Sequence, residues 1–167
     1  GRTYRLLGAE PRSVPALEQT SLEVRPTRTV AAFEGAGLAA ELEFLTPALP
    51  ADLDVLARPV TYATVRVQST DGAPRRMELY LDFGCELAVD SPDQPIHWDH
   101  PAFEGLITMR SGHPAQPVLE RKGDNLRIDW GYAHVSIPED QRPRTAVGSG
   151  PVLRGGFADS GRLPYLQ

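Results

Sequence analysis

The sequence predicts an all-β fold, an antiparallel β-sandwich with short strands and long loops. Three observations predict it. Apolar and polar residues alternate with period two in several segments, the pattern of strands with one buried and one wet face. The 15 glycines and 16 prolines are spread along all 167 residues, which suits many turns between short strands. No window longer than ten residues carries the 3.6-residue period of an amphipathic helix.

In chain order, Gly1-Arg2-Thr3-Tyr4-Arg5-Leu6-Leu7-Gly8 lacks an initiating methionine and reads as a strand already under way, so a segment of a longer protein is expected. Residues 22–24 and 27–33 read as strands. Glu34-Gly35-Ala36-Gly37 then offers residues that tolerate positive φ, a hairpin signal. In 38–44, Leu38, Ala40, Leu42 and Phe44 share one face and Glu41 and Glu43 the other. Residues 50–56 can form one short helical turn capped by Asp52. Ala63, Val65 and Val67 oppose Thr64, Arg66 and Gln68, and Ser69-Thr70-Asp71-Gly72 supplies the next turn. Met77, Leu79, Leu81 and Phe83 then oppose Glu78, Tyr80 and Asp82.

Five prolines, at 92, 95, 101, 114 and 117, break the middle of the chain. Residues 90–103 are therefore expected to be a loop outside the sandwich. Residues 106–110 read as a strand, and Lys122-Gly123-Asp124-Asn125 as a third hairpin turn. Leu126, Ile128, Trp130 and Tyr132 oppose Arg127 and Asp129, and 133–137 closes the strand series. After Pro138 the pattern decays into Pro143, Gly148-Ser149-Gly150-Pro151 and Gly155-Gly156. The expected organisation is a sandwich domain over 1–138, with 139–167 wrapping it or leading toward a following domain.

Composition narrows the function classes. Net charge is -5, and a single lysine, Lys122, stands among the 17 basic residues. No polybasic stripe exists to neutralise a phosphate backbone or an anionic membrane, so neither nucleic acid nor membrane is an expected partner. No apolar run approaches the roughly 20 residues that span a bilayer. The lone Cys85 excludes an internal disulfide and any multi-cysteine metal site. Its parity with Phe83 suggests a small core residue.

His97-Trp98-Asp99-His100 is the densest polar and aromatic cluster. His and Asp side chains ligate zinc, but Pro95 and Pro101 argue against the helix that a paired-histidine motif requires, so no metal or other cofactor is expected. An exposed loop with Trp98 packed on its surroundings is the simpler expectation. Asp82 and Glu86, four residues apart on one strand, stand about 13 Å apart, beyond the reach of a glycosidase pair. Ser149 lacks the two-sided glycine spacing of a nucleophile elbow and reads as a turn. Trp130 and Tyr132 on one face either fill a core or form a docking platform. No catalytic residue is assigned. His97, Trp98, Asp99, His100, Trp130 and Tyr132 are the candidates for binding or interdomain contact.

Residues 17–45, Phe44-Leu45-Thr46-Pro47-Ala48-Leu49-Pro50, the run from Asp52 to Tyr62, Ser69-Thr70-Asp71-Gly72, Glu86-Leu87-Ala88-Val89-Asp90-Ser91-Pro92-Asp93-Gln94 and Lys122-Gly123-Asp124-Asn125-Leu126-Arg127-Ile128-Asp129-Trp130-Gly131-Tyr132 together resemble a family pattern. It is that of the β-domain preceding the catalytic region in the glutaminase A family, and the resemblance runs in order over 2–138. The resemblance implies a non-catalytic module whose partner is a helical catalytic domain of the same chain. It further implies a parent that hydrolyses L-glutamine to L-glutamate and ammonia, often outside the cytoplasm, so that a small-molecule substrate is met only through the parent. A carbohydrate-binding module of a glycosidase-like enzyme, using Trp98, Trp130 or Tyr132 to stack sugars, is the alternative expectation.

Overall fold

The computed structural model describes residues 1–124 and 126–164. Its tertiary contacts fall into two compact units, Gly1–Glu78 and Leu79–Gln167. Each unit holds one antiparallel sheet, and the all-β class expected from the sequence is what the chain adopts.

The first unit is a four-stranded meander, β1 (Glu18–Arg25), β2 (Arg28–Gly35), β3 (Leu38–Leu45) and β4 (Tyr62–Ser69), in sequence order across the sheet. Register explains its core. Phe33 stands opposite Ala40, and Ala31 opposite Leu42, which in turn faces Val65 of β4. These alternate residues share one face, and Leu17 joins Ala31, Phe33, Ala40 and Leu42 in the buried cluster, with Tyr4, Leu6, Phe44 and Val65 around it. The opposite face is wet and charged. There Glu43 accepts from both Arg28 and Arg66, and Arg66 also reaches Glu41. The Arg28 guanidinium first, then that of Arg66, holds the Glu43 carboxyl below the usual carboxylate range.

The β2–β3 hairpin follows its sequence signal. Ala36 and Gly37 both take positive φ, 53° and 76°, as a two-residue hairpin loop of primed type requires. Glycine at 37 also leaves room for the Asp71 carboxylate, which a Cβ there would meet at 2.6 Å and displace. Asp71 organises the next turn: it accepts from the Ser69 hydroxyl and the Ala73 backbone N–H and pairs with Arg75. These donors, Ser69 first, lower its pKa to about 2. Between β3 and β4, α1 (Leu53–Leu56) is the expected helical turn, with the Asp52 side chain accepting from the Val55 N–H at 3.0 Å.

The second unit holds β5 (His97–Asp99), β6 (Leu106–Gly112) and β7 (Ala133–Pro138), ordered 5-6-7, and α2 (Gly150–Ser160). Several expectations are corrected. Residues 1–8 form no strand; Arg5 makes only an isolated parallel bridge to Ala16, because Gly8 and Pro11 leave no room for a ladder. Residues 77–83 have strand patterning and no strand partner among the described residues, and the supposed inward set Met77, Leu79, Leu81 and Phe83 is exposed. The supposed outward Tyr80 and Asp82 instead meet α2: Tyr80 packs on Phe157 at 5.1 Å, and Arg154 donates to Asp82 at 2.6 Å. Burial and the hydrogen bond that Tyr80 donates to Asp82 push the Tyr80 phenol well above its ordinary pKa.

Residues 126–132 likewise form no strand, and the expected two faces do not hold: Asp129 is 4% exposed while Ile128 is 63% exposed. Lys122-Gly123-Asp124-Asn125 joins no pair of strands among the described residues, and Asn125 lies outside them. Residues 90–103 are not wholly a loop, since β5 forms inside them as an edge strand, which the absence of proline between 96 and 100 permits.

The helix α2 is a further correction. Three glycines and a single buried residue, Leu153, hide any helical period. Its end signals are nonetheless present, with Ser149 at the N-cap position, Pro151 in the first turn and Gly161 in the left-handed conformation beyond the end. Ser149 is thus a helix boundary where a turn was expected. Cys85 also departs from expectation: Gly84 ends the extended run, and Cys85 opens a 3-10 turn over Cys85–Ala88, half-buried and free of disulfide. No described helix is long and apolar enough to cross a membrane.

Candidate functional site

The site is one face of the β5-β6-β7 sheet. Strand parity sorts the side chains. Ile107, Met109 and Ser111 of β6 stand in register with Ile137, Val135 and Ala133 of β7 and share the apolar face with Trp98. Thr108, Arg110 and Gly112 take the other face, with Ser136 and His134 of β7 and Asp99 and His97 of β5.

Arg110 is its centre. It lies directly across from Asp99 on one side and His134 on the other. Its Nε donates to Asp99 Oδ1 at 2.8 Å, and Nη2 pairs with Oδ2, a two-pronged guanidinium–carboxylate contact. Arg110 holds the Asp99 carboxyl below its usual range, and Asp99 in return raises Arg110. The pair stays charged and fixed in orientation, an arrangement suited to binding and poor for proton transfer.

Tyr132, just before β7, is seated on this face by side-chain contacts. Its ring lies against Gly112, where an added Cβ would sit 2.7 Å from Tyr132 Cδ1, and the Arg110 guanidinium stands 4.4 Å from the ring centroid. Gln116 fixes the chain just before it, donating to Gly131 O at 3.1 Å and accepting from Gly131 N at 2.7 Å. Tyr132 makes an edge contact with His134 at 6.5 Å, and His134 meets Phe103 at 6.2 Å. All three residues are exposed. Thr108 and Ser136 share a 2.8 Å hydroxyl contact across the strands beside them.

A second clasp braces the surroundings. Asp90 accepts from Arg121 Nη1 at 2.6 Å and from the Arg127 backbone at 2.8 Å, while Gln94 accepts from the Asp90 and Ser91 N–H groups and donates to buried Asp129. Tyr132 also borders a shallow groove of about 220 Å³ with Leu87, Ala88, Ile128, Trp130 and Ala133.

Of the sequence-derived candidates, Asp99 and Tyr132 are brought together through Arg110, and His97 lies on their face. Trp98 points to the apolar side and contacts the His100 ring at 5.9 Å; His100 Nδ1 sits 3.2 Å from Thr108 O. Trp130 lines the groove. Sequence reasoning missed Arg110, His134, Phe103 and Gly112. Arg110 and His134 sit in strands whose register was needed to see them. No described group of three or more His, Cys, Asp or Glu side chains is placed to hold a metal ion.

Comparison with known proteins adds two matches. The chain is 27% identical over 164 residues to the glutaminase A of Aspergillus oryzae, a match covering 96% of this chain and 23% of that protein. The chain thus spans about a quarter of the length of this curated relative. No solved structure matches. The family described as "Domain of unknown function (DUF5127)" matches residues 27–167. This chain belongs to the DUF5127 family.

Proposed function

We propose that the chain is the non-catalytic accessory β-domain of a glutaminase A-like multidomain hydrolase, packing against a helical catalytic domain of the same polypeptide. In this reading the parent hydrolyses L-glutamine to L-glutamate and ammonia. The observation that carries it is the extent of the match: nearly all of this chain aligns with 23% of the fungal glutaminase A, as a module within a larger protein would.

The surface supports the same reading. The chain exposes 12003 Å², whereas the scaling of area with mass gives roughly 9,800 Å² for two separate compact domains of half this size each. Leu79, Leu81 and Phe83, alternating as a strand would, are 45–58% exposed. Leu87, Leu126 and Ile128 are exposed in the same unit. Apolar rows of this kind mark surfaces that meet a partner.

The test is ammonia release from glutamine, measured side by side for the 167-residue chain and the full-length parent. Activity in the parent alone is the expected result. Activity in the 167-residue chain would refute the accessory role, and inactivity of the parent toward glutamine would refute the assigned reaction.

A further inference from the structure

We propose that the peptide bond between Arg76 and Met77 is a processing site, hydrolysed in the folded chain by an endoprotease that reads paired basic residues. The 17 basic residues include two adjacent pairs, Arg75-Arg76 and Arg121-Lys122. The first pair stands in substrate form. A protease takes its substrate as an extended strand and supplies the backbone hydrogen bonds itself, so the scissile stretch must be exposed and outside any ladder. Residues 70–79 are all exposed, and 73–84 belong to no helix or strand. Among the described residues, no backbone-to-backbone hydrogen bond engages 74–83. The run is also uninterrupted by left-handed backbone, which ends at Gly72 and returns at Gly105. Arg76, the residue on the carbonyl side of the bond, has a side chain 89% exposed that touches Glu78 at 3.3 Å.

The second pair is presented differently. Leu119 and Gly123 flank it with positive φ, 56° and 137°, which breaks the extended form on both sides. Arg121 is also committed, to Asp90 at 2.6 Å and to Asp129 at 3.5 Å. Arg75 by comparison meets Asp71 in an ion pair open to solvent, and such pairs release readily. At the proposed site, water adds across the Arg76–Met77 amide: the C–N bond breaks, Arg76 keeps a carboxylate and Met77 gains an ammonium group. Strands β1–β4 stay on one product, and β5–β7 with α2 on the other, so neither sheet loses a strand. The bond precedes the exposed row of Leu79, Leu81 and Phe83, and the inference does not rest on the accessory role proposed above.

Limited proteolysis of the folded 167-residue chain tests the site, with a subtilisin-type endoprotease specific for paired basic residues and, in parallel, trypsin. Fragments are read by mass spectrometry and amino-terminal sequencing. With the paired-basic enzyme, the first scission is expected to create a single new amino terminus, at Met77. Trypsin, which needs one basic residue, is expected to cut first within the same pair. Arg75→Gln should slow the paired-basic enzyme roughly 10-fold or more, while trypsin still cuts after Arg76. Lys122→Gln should change neither rate. A first scission after Lys122, or at a basic residue outside the Arg75-Arg76 pair, would overturn the proposal, as would a folded chain that resists both enzymes until urea unfolds it. Cleavage of Arg75→Gln by the paired-basic enzyme at the unsubstituted rate would overturn the reading of the pair.

Discussion

The two sheets are held by different forces. The β1–β4 sheet packs an aliphatic and aromatic layer around Phe33, which is 1% exposed, with Ala31, Ala40 and Leu42 in register beside it. The second unit buries few apolar residues, Ala88, Val89 and Leu153, and is fastened instead by polar clasps: Arg154 on Asp82, Gln116 on Gly131, and Asp90 and Asp129 with Arg121 and Gln94. Hydrophobic burial is non-directional and grows with area, whereas each clasp is directional and modest in net worth. In the second unit Leu79, Leu81 and Phe83 are left outward, as Leu22 and Val24 of β1 are in the first; the proposed docking role rests on the former set.

Substitutions can break or sharpen the contrast. Phe33→Ala should cost about 3–5 kcal/mol through lost burial and the cavity it leaves, read as a lowered urea midpoint. Gly112→Ala should cost about 1–3 kcal/mol, because Gly131 O and the Tyr132 ring must both shift. Its signature is a change in Tyr132 ring NMR resonances with the first sheet undisturbed. Gln116→Ala should cost about 1–2 kcal/mol by removing both bonds to Gly131, and hydrogen exchange should report it locally at residues 130–133.

Asp71 gives a pH test confined to the first sheet. Its folded pKa is about 2, below the ordinary 3.8. Its contribution to stability is therefore full above about pH 4 and fades as pH falls toward 2. Urea midpoints measured across that window should decline less steeply in Asp71→Asn than in the parent sequence. Leu81→Ser, at an exposed position, should leave stability within about 0.5 kcal/mol while raising solubility.

The same contrast explains what could be read from the sequence. In the first unit the alternation of 38–44 and 63–67, the Gly35-Ala36-Gly37 turn and the Asp52 cap all agree with one another, and each stands in the structure. By contrast, 77–83 and 126–132 alternate just as regularly and find no ladder partner among the described residues. Period-two patterning records which residues are apolar; it does not record whether a neighbouring strand exists to bury them. Here the polar members Tyr80, Asp82 and Asp129 found side-chain partners, and the apolar members were left outside. The candidate site was half legible. His97, Asp99 and Tyr132 stood out as residue types, while Arg110, His134 and Phe103 became visible only through the β5-β6-β7 register and the ring contacts it creates.

The most direct test of the accessory role is hydrogen exchange at residues 79–88 and 126–132, compared between the 167-residue chain and the full-length parent. The account predicts slower exchange in the parent, with the β1–β4 ladder amides unchanged. Equal exchange in both proteins would contradict it, because the exposed apolar rows would then meet no partner.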